Sequence, residues 1–194
     1  MLLVLFGCIV ALWWSNSEPT NTAAVAAVTH GNAWYDKKEY DKAIEDYDEA
    51  IRLDPKYALA YINCGNGWSA KKDYDKAIRD YDLATRLDPN YALAFANRGL
   101  AWSAKKEYDK AIKDYDQAIR LNPNYAPALA NRGVAWSDKK EYDKAIKDYG
   151  EAIRLDPKNA FYYSGRGNAW YGKKEYDKAK KDYDEAHRLD PTQF

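Results

Sequence analysis

Histidine and cysteine are almost missing from this chain, which has two of each in 194 residues. Two cysteines, Cys8 and Cys64, cannot form a disulfide framework. His30 lies near the start and His187 near the end, and neither accompanies a Ser or Cys nucleophile in a recognisable motif. A Gly-rich phosphate loop is also missing, so neither catalysis nor a cofactor is expected. Charge of one sign is lacking too: 30 basic and 30 acidic side chains give a formal net charge of zero. They are interleaved, as in Tyr40-Asp41-Lys42, so no block steers the chain toward a phosphate backbone. No nucleic-acid partner is expected.

Long hydrophobic runs are scarce as well. Met1 to Trp14 carries no charge, but fourteen residues of helix reach only about 21 Å against a hydrocarbon core of about 30 Å. A polar, proline-broken linker follows over 15–23. The length suits the apolar part of an export signal, with Ser15-Asn16-Ser17 as a cleavage region. The absence of a preceding Lys or Arg, and the Trp13-Trp14 pair, suit a retained interfacial anchor instead. A misassigned start, leaving a cytoplasmic protein, is the third reading, and docking of the segment as an extra helix on the first unit is a fourth. Leu5-Phe6-Gly7-Cys8 mimics a lipoprotein cleavage box, yet the apolar run continues past Cys8 where a polar tether should begin. The chain is therefore expected to be exported or membrane-anchored through residues 1–14.

What the chain has in abundance is repetition. Trp34, Trp68, Trp102, Trp136 and Trp170 fall 34 residues apart. Gly31, Ala43, Tyr47 and Pro55 each recur four more times at the same interval. A period in this range means one supersecondary unit copied and stacked. Cutting at the period gives units 24–57, 58–91, 92–125, 126–159 and 160–193. In the second half of the first unit, Tyr40, Ala43, Ile44, Tyr47, Ala50 and Ile51 recur at three and four residues, the stripe of an amphipathic helix. Asp54-Pro55 ends it. A shorter helix precedes, with Gly31 and Trp34 facing inward. Asp48–Arg52, Asp82–Arg86, Asp116–Arg120 and Asp184–Arg188 are spaced as ion pairs along the second helices, worth about 0.2–0.5 kcal/mol each. Gly150 breaks that series and makes the fourth unit's second helix the softest. Lys180 and His187 stand where other units carry Ile44 and Ile51, so they solvate the end of the stack, and five units are expected to complete it.

Each unit resembles a tetratricopeptide repeat, whose pattern is W-x2-L-G-x2-Y, then A-x3-F, then P. In the third unit Gly99, Trp102, Ala111, Tyr115 and Pro123 carry the resemblance. Departures are Ala27 in place of the first unit's large opening residue, His30, Cys64, Arg98, Arg132 and Arg166 for the usual Leu, and Lys for the frequent Gly between the helices. The resemblance implies an all-α, right-handed superhelical solenoid of antiparallel helix pairs. It also implies that first helices line a concave groove, with Asn32, Asn66, Leu100, Val134 and Asn168 along one row. Tyr35 and Tyr171 close its ends, and Asn63, Asn97 and Asn131 add a second row of amides. Asn donates and accepts at once, which suits an extended peptide, although the same residues also read as solvated helix surface. Chaperone C-terminal carboxylates are not expected as ligands, because the clamp that holds them needs lysines where this chain has Val28, Ile62, Ala96, Ala130 and Ser164, or Val25, Leu59, Leu93, Pro127 and Phe161.

Arg98, Arg132 and Arg166 could form an anion-binding row, but pairing with second-helix acids such as Asp80, Asp114 or Asp148 explains them better. His30 and Cys64 share that position in adjacent units and lack the further ligands a metal would need. The Asp-Tyr-Asp triplets lie inside helices without a calcium loop's Gly turn. The expected function is a non-catalytic protein-interaction scaffold, and the alternative is a self-association module stacking through its ends. Removing residues 1–19 should leave helicity and melting temperature unchanged while altering where the protein is found in cells. A drop in melting temperature would instead mean that the leader packs on the first unit.

Overall fold

A computed structural model describes residues 22–192; the leader and most of the linker, assigned above to residues 1–14 and 15–23, lie outside the described residues. The described residues form ten α-helices in five pairs: α1 (Thr22–Asp36) with α2 (Tyr40–Leu53), α3 (Ala58–Ala70) with α4 (Tyr74–Leu87), α5 (Ala92–Ala104) with α6 (Tyr108–Leu121), α7 (Ala126–Asp138) with α8 (Tyr142–Leu155), and α9 (Ala160–Gly172) with α10 (Tyr176–Leu189). None of them is long and apolar enough to cross a membrane.

Each pair turns over in three residues. In the first, the Lys38 amide donates to the Tyr35 carbonyl and the Glu39 amide to the Trp34 carbonyl, which is a Schellman closure of α1. The motif requires a left-handed residue, and Lys38 takes it with φ of 62°. Lys72, Lys106, Lys140 and Lys174 do the same in the other units. A side chain in this region is strained on the order of 1 kcal/mol, so every turn is held by the packing on either side of it.

That packing centres on one tyrosine per unit. Tyr47, Tyr81, Tyr115 and Tyr149 are buried, and Tyr183 is half-buried. Each ring lies against the bare backbone of its own first helix: a Cβ on Gly65 would come within 2.6 Å of Tyr81 Cε1. Fully buried Ala43, Ala77, Ala111 and Ala145 bring the second helix equally close. The tryptophans do not enter this core. They are half-buried at the rim and roofed by lysines, Lys76 Nζ lying 3.8 Å above the Trp68 ring centroid and Lys110 Nζ 4.3 Å above that of Trp102.

First helices touch the next first helix along the whole array, whereas second helices touch only first helices. The first helices therefore crowd the inner side of the curve and the second helices spread along the outer side. Lys180 and His187, placed by sequence at the stacking positions of the last unit, are exposed there.

The seams between units carry a ladder of ions. Arg98 grips Asp114 of its own unit with two bonds of 2.7 and 2.8 Å, and reaches back 3.0 Å to Asp82 of the preceding unit. Arg132 does the same with Asp148 and, at 2.5 Å, with Asp116. This overturns most of the intrahelical pairs expected from sequence. Asp82–Arg86 forms at 2.6 Å, but Arg52 and Arg188 turn to Glu49 and Glu185, and Arg120 to Gln117. The physical reason is that Asp116 is drawn across the seam by Arg132, Asp48 faces Cys64 Sγ at 3.7 Å, and Asp184 is taken by Lys180. At Asp116 a partly buried arginine already anchored on Asp148 outcompetes an exposed, flexible one.

The ladder is incomplete at two seams. Gly150 removes the back-reaching partner of Arg166, which holds only Asp182, and the position is open, with nothing within 4 Å of an added Cβ. Gly150→Asp should therefore stabilise the array by about 1 kcal/mol, by restoring the second carboxylate and removing a helix-interior glycine; urea unfolding reads this directly. At the first seam Cys64 replaces the arginine, leaving Asp48 and Asp80 facing a thiol. Burial raises both carboxyls, Asp80 to about 6. A raised carboxyl destabilises the fold when ionised, so stability should rise as pH falls from 7.5 toward 5.5. Cys64→Arg should raise the melting temperature at pH 7.5 by about 2–4 °C and flatten this dependence. An unchanged pH profile in the variant would refute the assignment.

Candidate functional site

The concave face is reached from the core by the same tyrosines. The Tyr47 hydroxyl donates to Asn32 Oδ1 at 2.8 Å, Tyr81 to Asn66 at 2.7 Å and Tyr183 to Asn168 at 2.8 Å. Asn63 Nδ2 donates to Asn32 Oδ1 at 3.1 Å, and Asn97 Nδ2 to Asn66 Oδ1 at 2.9 Å. Two donors converging on one atom fix the orientation of each amide. Both lone pairs of Asn66 Oδ1 are occupied, so its remaining capacity is its two N–H donors. Asn97, having used one N–H, keeps its carbonyl oxygen. The pair thus offers a donor and an acceptor side by side, and Asn32 with Asn63 repeats the arrangement one unit earlier.

In the middle of the array the ninth positions are apolar. With Leu100 in place of an amide, the Tyr115 hydroxyl has Ser103 Oγ at 3.4 Å. Burial pushes that phenol up to about 12 and holds Tyr81 further above its ordinary value, so both hydroxyls remain protonated. The Asn131 side chain makes no hydrogen bond among the described residues, and Ser137 Oγ is buried without a partner there. Leu100 is 46% exposed, while Val134 is half-buried against the core of the fourth unit.

Structure brings part of the sequence-derived set into one depression. Tyr35, Asn66, Asn97 and Leu100, with Ser69, Ala70 and Tyr81, line a hollow of about 280 Å³. Asn32 of the first unit and Asn63 of the second form the preceding amide pair, outside its lining. Val134 and Asn131 continue the face into the fourth unit, and Asn168 and the exposed Tyr171 end it, apart from the hollow. Tyr35 packs edge-on to Tyr40 at 5.3 Å and Tyr171 to Tyr176 at 5.2 Å, so each terminal tyrosine is braced by its own second helix. The twelfth-position serine Ser69 belongs to the face read from sequence, whereas sequence reasoning missed the Tyr81 hydroxyl as a lining group. The recurring Asn–Tyr spacing of 15 residues was the signal that would have found it.

His30 Nδ1 lies 2.7 Å from Asp46 Oδ2 and Cys64 is buried between acids, and among the described residues no group of three His, Cys, Asp or Glu could hold a metal ion. Arg98, Arg132 and Arg166 are held by Asp114, Asp148 and Asp182, not free for an anion.

Family models described as TPR repeat and tetratricopeptide repeat match residues 31–66 and 70–105, and residues 92–125, 126–159 and 160–193. The chain belongs to the tetratricopeptide repeat family. Its right-handed solenoid of antiparallel helix pairs is that family's fold, and the family's general role is protein–protein interaction. Among solved structures, MamA is 28% identical over 84% of this chain and 95% of its own, with a TM-score of 0.76. MamA 41-end from Desulfovibrio magneticus RS-1 is 19% identical over 90% and 99%, with a TM-score of 0.80. YrrB, described as a TPR protein with an unusual peptide-binding site, is 24% identical over 87% of each chain at a TM-score of 0.71; at that identity the likeness is one of fold. No curated protein matches this tetratricopeptide repeat chain in sequence.

Proposed function

We propose that this protein is a non-catalytic scaffold that holds an extended segment of a partner protein along its concave face. The observation that carries the reading is the pairing of Asn66 with Asn97 beside an exposed Leu100 in one hollow. A peptide group needs a donor for its carbonyl and an acceptor for its amide, and the two asparagines supply one of each. Leu100 and Val134 then offer an apolar floor for a side chain of the ligand, with Asn32 and Asn63 gripping one unit earlier and Asn131, Asn168 and Tyr171 one or two units later. Tyr35 closes the hollow on the N-terminal side. The absence of lysines from the face argues for an internal, uncharged segment over a C-terminal carboxylate. The charge-free stretch Met1 to Trp14 supports a location outside the cytoplasm or at a membrane, where such a scaffold would meet its partner.

Leu100→Asp with Val134→Asp should abolish capture of the partner, since charge would replace the floor, while the thermal midpoint shifts by less than about 4 °C because neither side chain is fully buried. The measurement is binding by pull-down from the source cell beside melting by circular dichroism. Collapse of helicity would move both residues into the core and remove the groove.

A further inference from the structure

The outer face carries a second surface that the interleaved sequence conceals. At one position of α4, α6, α8 and α10 stand Arg79, Lys113, Lys147 and Lys181, all exposed. Each has a position three residues onward where an aspartate would neutralise it along the helix. None does so. Asp82 is held by Arg86 and Arg98, Asp116 by Arg132, Asp184 by Lys180, and the fourth position is Gly150. These four cations make no ion pair among the described residues. The ladder that ties the units together draws the acids into the seams and leaves a row of positive charge on the outside.

Two members of this row meet in one cavity. Arg79 and Lys113 line a hollow of about 460 Å³ between the second and third units, with Ile78 and the Trp102 ring as apolar wall and Lys110 above the ring. The acids that line it, Asp82 and Asp114, are both bound to Arg98. Its uncommitted charge is therefore positive. The row has an end: the first unit carries Glu45 at the same position, which would repel what the others attract.

We infer that the convex face between the second and third units is a docking surface for an acidic protein segment, with carboxylates pairing to Arg79 and Lys113 and an apolar side chain seated on Ile78 and Trp102. Charge complementarity selects the occupant. An acidic chain also places hydrophobic side chains between its charges, as the hollow requires, whereas a nucleic-acid backbone offers none. The surface is on the opposite side from the concave groove and does not depend on it, so one array can hold two partners at once.

The test uses a fluorescein-labelled peptide alternating Glu and Leu and its counterpart with Asn for Glu, titrated by anisotropy against the full chain. The acidic peptide should bind and the Asn peptide should not. Binding should weaken about tenfold in Arg79→Glu/Lys113→Glu and on raising salt from about 50 mM to about 500 mM. Both side chains are exposed, so circular dichroism of that variant should match the parent. Leu100→Asp/Val134→Asp should bind the acidic peptide as the parent does, which separates this surface from the groove. The inference is overturned by equal binding of the charge-reversed variant, by loss of binding in the groove variant, or by a single-stranded oligonucleotide of equal charge binding as tightly as the peptide.

Discussion

A tyrosine ring packed against a glycine of the paired helix is the contact on which everything else in this array rests. It sets the distance between the two helices of a unit, because nothing larger than hydrogen fits at Gly31 or Gly65 while Tyr47 or Tyr81 is in place. It fills the space that the buried alanines leave. At its far end the hydroxyl emerges on the inner face and fixes an asparagine amide. Core and groove are thus two ends of one side chain. A partner on the inner face would bind amides whose orientation is decided in the core, which lowers the entropy lost on binding.

The strained turn belongs to the same arrangement. Lysine in left-handed geometry is unfavourable by itself, and the chain tolerates it five times. The Schellman hydrogen bonds and the cation–π roof over each tryptophan sit on either side of that residue and compensate for it. In Lys71, Lys105, Lys139 and Lys173 the residue just before the turn covers the tryptophan and also pairs with an aspartate of the preceding unit, Asp41, Asp75, Asp109 or Asp143. The turn that reverses the chain within a unit is thus also a contact between units.

Periodicity made the fold readable. The glycine, tyrosine and proline intervals define ten helices and their stops, and the stripe through Tyr40, Ala43, Ile44 and Tyr47 says which side is inside. The inner face was legible to the extent that three- and four-residue spacing puts Asn63, Asn66 and their copies together. The direction of each amide was not, because it depends on a tyrosine from the next helix. Charge was the hardest to read. A carboxylate four residues from an arginine looks paired in one dimension. In three, Arg132, anchored by two bonds to Asp148, reaches Asp116 across the seam with a third, while Arg120 turns to Gln117. The neutral, evenly mixed sequence therefore hides a surface that is not evenly mixed.

The ion ladder also decides how the array comes apart. In a stack where each unit touches only its neighbours, stability is a sum of units and seams, and opening spreads from whichever seam is weakest. The seams built on Arg98 and Arg132 carry both acids, the one at Cys64 has acids without a base, and the one at Arg166 lacks its second acid. Cooperative strength is concentrated in the second, third and fourth units, and the outer pairs fray first. Leu100 and Val134 stand on that central block. If the inner face holds a partner segment as proposed, the apolar floor under it would keep its shape while the units at either side open and close.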